Sequence, residues 1–324
     1  MKLTSLFGIA ALLACVLLLS GCGPAQVDNS ARILADPASN AEALFAQADL
    51  IADNSYGSYG RDTIRASVLL CRAEALDRQG KHAEAEVLRF SAWQIGVSTY
   101  GSYGRDLIDA AVYLSRAYAQ ELQGKDNEAE ASRTQAWYVG AKTYGSYGRD
   151  QIYAAVYLSR ADAFERHGDQ VAAERARTAA SKVADNSYGS YGRDKIRAAA
   201  ALSRADACAR QGKYIDAERE RALAIVAAKT SYGSYGRDVA LAAIELSRAY
   251  EQSLKGLDAA AVLSETAALQ VGSNSYGSYG RDIIKAGALL SRAVHLNNLK
   301  SPDKFGSSEL RTRLLLLGHL HDDD

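Results

Sequence analysis

The sequence predicts an all-α fold, an α-solenoid of stacked antiparallel helix pairs with a 44-residue repeat, and three observations carry that prediction. The stretch YGSYGRD stands letter for letter at Tyr56, Tyr100, Tyr144, Tyr188, Tyr232 and Tyr276, each copy 44 positions after the last. Between the copies, apolar residues recur at helical spacing and not in strand alternation. The three prolines, Pro24, Pro37 and Pro302, fall outside the repeated region, so no helix within it has to be kinked. A fixed period also overrides a domain count from length, because stacked repeats share one continuous core.

The chain opens on a targeting segment. Residues 1–21 read as a signal peptide: Lys2 supplies the positive start, and Leu6 to Leu19 is an apolar run ending in small residues. The ending Leu19-Ser20-Gly21-Cys22 resembles the lipobox of bacterial lipoproteins. That resemblance implies lipidation of Cys22 and, since residue 23 is Gly and not Asp, export to the outer membrane. The expected location is therefore the outer membrane, lipid-anchored and facing the periplasm. An uncleaved anchor is the alternative, because Leu3 to Leu19 approaches the roughly 17–25 residues that span a bilayer. Residues 22–37 are expected to be the lipidated N-terminus and a linker.

Residues 38–55 carry Ala41, Glu42, Ala48 and Ile51 in register with Ala85, Glu86, Ala92 and Ile95. They are expected to form a lone N-terminal capping helix that covers the exposed face of the first full repeat. The array itself occupies residues 56–297. Its first helix, A, carries Ile64, Ala66, Leu70 and Ala73, repeated as Ile108, Ala110, Leu114, Ala117 and as Ile152, Ala154, Leu158, Ala161. The spacing 66, 70, 73 is one face of a helix. A second line, Ile64, Val68 and Ala75, gives the second buried side that a helix packed between its partner and the next repeat requires. Helix A is expected to stop at Gly80, Gly124, Gly168, Gly212 and Gly256, where glycine takes the left-handed conformation of a C-terminus. Helix B follows with Ala85, Ala92 and Ile95, and the small alanines let the pair approach closely. Residues 298–324 are expected to be a degenerate C-terminal cap and tail, with SSELRTRLLLLGHL standing where a sixth helix B belongs. The expected count is thirteen helices.

At Leu114–Glu130, LSRAYAQELQGKDNEAE, and best at Arg210–Leu223, RQGKYIDAERERAL, the unit resembles a tetratricopeptide repeat of the extended, kinesin-light-chain-like kind. The likeness implies a non-enzymatic scaffold that holds proteins on a concave face lined by A helices. The expected partners are periplasmic or outer-membrane proteins, with no cofactor.

Within the motif, Gly57 is expected to close helix B, Gly60 to permit a tight turn and Asp62 to N-cap helix A. Drift is ample nearby: the residue three after the Asp reads Arg65, Asp109, Tyr153, Arg197, Leu241, Lys285. Identity of all seven letters therefore points beyond turn geometry. The first tyrosines, Tyr56, Tyr100, Tyr144, Tyr188, Tyr232 and Tyr276, and the second, Tyr59, Tyr103, Tyr147, Tyr191, Tyr235 and Tyr279, either ladder across the seams or offer flat faces to a ligand. Arg61, Arg105, Arg149, Arg193, Arg237 and Arg281 can pair with carboxylate, sulfate or phosphate. In a linear stack with helices about 10 Å apart they form a row some 50 Å long, suited to peptidoglycan or an exported polysaccharide.

A second constant is Arg72, repeated as Arg116, Arg160, Arg204, Arg248 and Arg292. The helix hairpin places it near Glu86, Glu130, Glu174 and Glu218 in repeats one to four, which predicts an ion pair within each repeat. Repeats five and six have Val262 and Gly306 there, so the arginines either pair elsewhere or line a concave groove.

Composition adds exclusions. Lys plus Arg and Asp plus Glu both number 38, so net charge points to neither nucleic acid nor an acidic partner. With Cys15 in the signal and Cys22 lipidated, Cys71 and Cys208 cannot build a disulfide framework; Cys71 replaces a serine found in the other five repeats and reads as a small buried filler. The five histidines occupy unrelated positions, and no catalytic constellation is visible.

Overall fold

A computed structural model describes residues 29–36, 38–55, 57–187, 190–231 and 234–298. Residues 1–21, expected to be a signal peptide, Cys22 and the C-terminal segment lie outside the described residues. Thirteen helices are present among them. A short α1 (Asn29–Ala35) falls inside the stretch expected to be linker. The A helices are α3 (Ser58–Arg78), α5 (Ser102–Leu122), α7 (Ser146–Arg166), α9 (Ser190–Arg210), α11 (Ser234–Leu254) and α13 (Ser278–Asn298). The B helices are α2 (Ala41–Asn54), α4 (His82–Ser98), α6 (Asp126–Lys142), α8 (Gln170–Asn186), α10 (Tyr214–Thr230) and α12 (Asp258–Asn274).

The stack closes on itself. Each A helix packs on the A helices before and after it, and α13 packs on α3 as well as on α11. Among the described residues no B helix packs on another B helix, so the A helices form an inner ring and the B helices an outer one. The N-terminal α2 packs against both α3 and α13. It is therefore the missing B helix of the sixth repeat, which corrects the expectation of a lone cap on an open end. The register confirms it: Thr99 donates from its hydroxyl to Asp62 (3.3 Å) within repeat one, and Ser55, 44 residues before Thr99, meets Asp282 in repeat six.

One small position on the B helices agrees with this assignment. At the place of Ala52 the other B helices carry Gly96, Gly140, Ala184, Ala228 and Gly272. A Cβ on Gly96 would meet Ile108 Cγ2 at 2.9 Å, and one on Gly272 would meet Ile284 Cγ2 at 2.8 Å. The C-terminal segment brings Leu316 into this register, with Thr312 at the position where every B helix has Ala. A leucine does not match the small residue of that register position, whereas Ala52 of α2 does.

Inside the ring, Leu70, Leu114, Leu158, Leu202, Leu246 and Leu290 occupy one constant, buried position. Each contributes about 1.5–3 kcal/mol of apolar burial. The turns from A to B behave as expected. Gly80 has φ 76° and recurs as Gly124, Gly168, Gly212 and Gly256, all with positive φ. Lys81 N–H donates to Leu76 C=O and Gly80 N–H to Asp77 C=O, both at 2.9 Å, the paired bonds that satisfy carbonyls at a helix end.

Two charged ladders tie one repeat to the next. Arg72 reaches Glu42, Arg116 reaches Glu86, Arg160 reaches Glu130, Arg204 reaches Glu174 and Arg248 reaches Glu218. Each arginine thus pairs with the B helix of the preceding repeat, not its own, which corrects the predicted intra-repeat pair. The same geometry explains repeats five and six: Arg248 never needed Val262, and Arg292 pairs with Asp258, one turn before Val262 (2.6 Å). The second ladder is buried. Arg89, Arg133, Arg177 and Arg221 donate from Nε to Ser115, Ser159, Ser203 and Ser247 of the next repeat at 3.0–3.1 Å. In the first three the guanidinium also binds Asp77, Glu121 or Glu165, and in the fourth Glu251. Cys71 is buried, as expected of a filler, and now has a cause: the B helix facing it carries Phe45 where the ladder has arginine, so no serine is required.

Candidate functional site

The six motifs lie where each B helix hands over to the next A helix, along one rim of the ring. Helix B ends on an extended Ser or Thr: Ser55 has φ −75° and ψ 136°, Thr99 φ −67° and ψ 132°. The glycine two residues on, Gly57, Gly101 or Gly145, has φ 83–87° and ψ 144–150°. Only glycine adopts that backbone without strain. Helix A begins on the very next residue. Gly57 is therefore the N-cap of α3 and not a closure of helix B, and Asp62 lies inside α3. The expected Asp cap is thus corrected. Asp62 is buried, holding Thr99 and the Nε of Arg61 (3.1 Å), so the carboxylate ties the end of its own helix B to the start of its own helix A.

The two tyrosines part company. Tyr100, Tyr144 and Tyr276, squeezed between the extended Ser/Thr and the positive-φ glycine, are 88%, 88% and 86% exposed. Tyr103 is half-buried and donates from its hydroxyl to Gln151 Oε1 of the next repeat (3.3 Å). Its ring lies against Gly148, the second glycine of the next motif: a methyl group there would sit 2.6 Å from Tyr103 Cδ2 and closer still to Cε2. So that glycine serves the seam and not a tight turn, and it is helical. Tyr56, Tyr188 and Tyr232, and the side chains of Tyr59, Tyr147, Tyr191, Tyr235 and Tyr279, lie outside the described residues.

All six motif arginines are described. Their side chains are roughly half exposed, and each turns its Nε to the Asp that follows it, from 3.1 Å at Arg61 to 3.5 Å at Arg281. The acceptor orients the guanidinium and leaves its outer edge toward solvent, the edge that pairs bidentately with carboxylate, sulfate or phosphate. No family model, curated protein or solved structure matches this chain. What the rim can do must therefore be read from its own chemistry.

Structural duty accounts for five of the seven letters or gives them a seam role: the first Gly by its φ, the second Tyr and second Gly by their mutual contact, the Asp by its bonds, the Arg in part by its Nε bond. Among the described residues nothing in the fold requires the first Tyr. The ring geometry also changes the shape of the site. Six equivalent loops cannot form the straight row of about 50 Å; neighbouring inner helices about 10 Å apart close into a hexagon about 20 Å across at their axes. Arg72, Arg116, Arg160, Arg204, Arg248 and Arg292 do not line a concave groove either, because they face the preceding B helix. The inner faces of the A helices are buried, which removes the open groove on which a tetratricopeptide-like scaffold would hold a peptide.

Sequence reasoning missed a polar cluster near the ends of the A helices remote from the motif. Arg78 donates to Tyr118 Oη (3.0 Å), and Arg210 contacts Tyr250 Oη (3.3 Å) and Glu165 (2.8 Å). Burial alone would lower the Arg210 pKa, but Tyr250, Asp162 and Glu165 raise it well above the ordinary value. The position of Glu74, Tyr118, Asp162, Asp206, Tyr250 and Val294 changes type from repeat to repeat, so no periodic signal marks it.

Proposed function

We propose that this protein is a non-enzymatic binding ring, held on a membrane through lipidated Cys22, whose Tyr/Arg rim carries a glycan ligand such as peptidoglycan or an exported polysaccharide. The observation that carries the reading is the exposure of Tyr100, Tyr144 and Tyr276 at a position of fixed identity. An exposed tyrosine with no packing role drifts unless its flat face and hydroxyl are used, and beside each stands an arginine whose outer edge is free for an anionic or hydroxyl-bearing group. The test is retention of the purified mature protein on sacculi and on insoluble polysaccharide. Wild type is expected to be retained, and a ring with all six first tyrosines changed to Ser and all six motif arginines changed to Ala is expected to pass through. A wild-type ring that binds neither material sinks the reading.

A second reading, a scaffold for a periplasmic or outer-membrane protein, is favoured by one feature of the outer ring. Helix α4 exposes Val87, Phe90, Trp93 and Val97, with Phe90 and Trp93 stacked at 5.6 Å between centroids. Such a contiguous apolar stripe suits a protein surface. A photo-crosslinker at Phe90 that captures no protein in cells, while rim variants lose glycan retention, decides for the first reading.

A further inference from the structure

The grooves between successive B helices, each floored by an A helix, are not equivalent, and the residue three after the motif Asp decides their state. Arg65 reaches back to Asp53 (2.5 Å) and Arg197 to Asp185 (2.8 Å), closing their grooves with ion pairs. Tyr153 fills its groove by stacking on Trp137, with centroids 3.7 Å apart. In α5 the residue is Asp109, and the position twelve back, where the two arginines find their carboxylates, is Val97. Oδ1 of Asp109 is buried with no hydrogen-bond partner. Burial, then the charge of Asp106, push its carboxyl above the usual range against the pull of Arg116 and Arg105.

Over this carboxyl lies a cleft of about 320 Å³, bounded by Arg105, Tyr113, Tyr138, Lys142 and Tyr144. We propose that this cleft is a subsite for one neutral hexose unit, the place where a glycan held on the rim is gripped, so the inference rests on the rim reading and names its ligand class. Three tyrosines around one cleft offer flat faces to the C–H faces of a pyranose, and Tyr138 and Tyr144 are 54% and 88% exposed for the purpose. The Asp109 carboxyl, which lines the cleft, is an acceptor for a sugar hydroxyl, and Arg105 and Lys142 are donors to sugar oxygens. The two cations are balanced by Asp106 and Asp109, so the cleft selects hydroxyl chemistry over net charge. Its volume is at the lower end of small-ligand sites, the size of one or two sugar rings. The other described grooves have this position paired or filled by packing, so the subsite gives a six-fold rim a single point of registration.

The test uses the full mature ring, with cellotetraose and chitotetraose as neutral probes and choline as a control for an aromatic cage, read by calorimetry and by saturation-transfer NMR. The variants are Asp109→Leu and Tyr113→Leu, residues that α11 and α3 carry in register as Leu241 and Leu69, so the fold tolerates both. Wild type is expected to bind one tetrasaccharide per ring, and each variant to bind it about tenfold or more weakly. Absence of neutral-sugar binding by wild type, or unchanged affinity in both variants, overturns the proposal, as does choline as the sole ligand of the cleft. The two readings fail separately: polymer retention that rim variants abolish and Asp109→Leu leaves intact removes the subsite and spares the rim.

Discussion

Gly148→Ala separates the seam from ordinary helix energetics by sign. Gly148 is in the first turn of α7, and an alanine in a helix is ordinarily better than glycine by up to about 1 kcal/mol. Here the added methyl sits 2.6 Å from Tyr103 Cδ2 and 3.0 Å from Thr143 Cγ2, well inside contact distance. Either the methyl forces the backbone apart or the Tyr103 ring swings out and abandons Gln151; overpacking of this kind costs about 1–3 kcal/mol. The substitution is therefore expected to destabilise by about 1–2 kcal/mol net, a fall in Tm of about 2–8 °C at the 2–4 °C per kcal/mol of domains this large. In a Tyr103→Ser background the obstacle is gone, and the same Gly148→Ala is expected to be neutral or stabilising. Urea and thermal unfolding of the four proteins of this double-mutant cycle check it. If Gly148→Ala raises the stability of the otherwise wild-type chain, the Tyr-Gly contact does not explain why these letters are fixed.

Other outcomes follow from the closed ring and its charges. A chain lacking residues 29–55 leaves α13 without its B helix and is expected to associate or aggregate, with a peptide of residues 38–55 restoring a compact monomer in sedimentation; a monomeric, equally stable truncation would contradict closure. Arg177→Ala leaves buried Glu165, which Arg210 and Arg177 together hold below the ordinary carboxylate range, with Arg210 as its remaining partner, and is expected to cost about 1.5–3 kcal/mol in unfolding free energy. Arg160→Ala breaks only a half-exposed pair and should cost under about 1 kcal/mol, so equal losses for the two would refute the distinction between the ladders. Glu265 takes the place of a ladder arginine, and burial pushes its pKa up to about 8, with Arg292 opposing and Asp258 adding. Because the folded pKa is raised, its favourable contribution is complete below about pH 4.5 and is lost as pH rises to about 8, at about 1.4 kcal/mol per unit. Glu265→Gln is expected to remove that fall, seen as a Tm gain over wild type at pH 8 that vanishes at pH 4.5.

Much of the fold is legible because periodicity is a local signal. Ile64, Ala66 and Leu70 recur at 44 with helical spacing, and Gly80 announces its positive φ by standing alone between two apolar patterns. The boundary differs from the one expected at Asp62 because an acidic residue before an apolar run also fits an N-cap. The real cap, Gly57, has no side chain to advertise it, and Asp62 is held instead by a threonine 37 residues away. The seam between Tyr103 and Gly148 was partly visible as two fixed letters, but their coupling across 45 residues is a contact between repeats, which no single repeat displays.

The sequence by itself determined the helix pair, its length, its turns and the six-fold recurrence of Tyr, Gly, Arg and Asp, since each of these follows from spacing along one chain. Closure was decided only in three dimensions. It depends on the angle each pair adds to the last, summed over six repeats, which brings α13 back against α2 and α3. The N-terminal helix α2 packs on α13 as well as on α3, and so closes the ring. That closure buries the inner face, turns a straight row of tyrosines into a rim, and moves the arginine ladder from a groove into the seams.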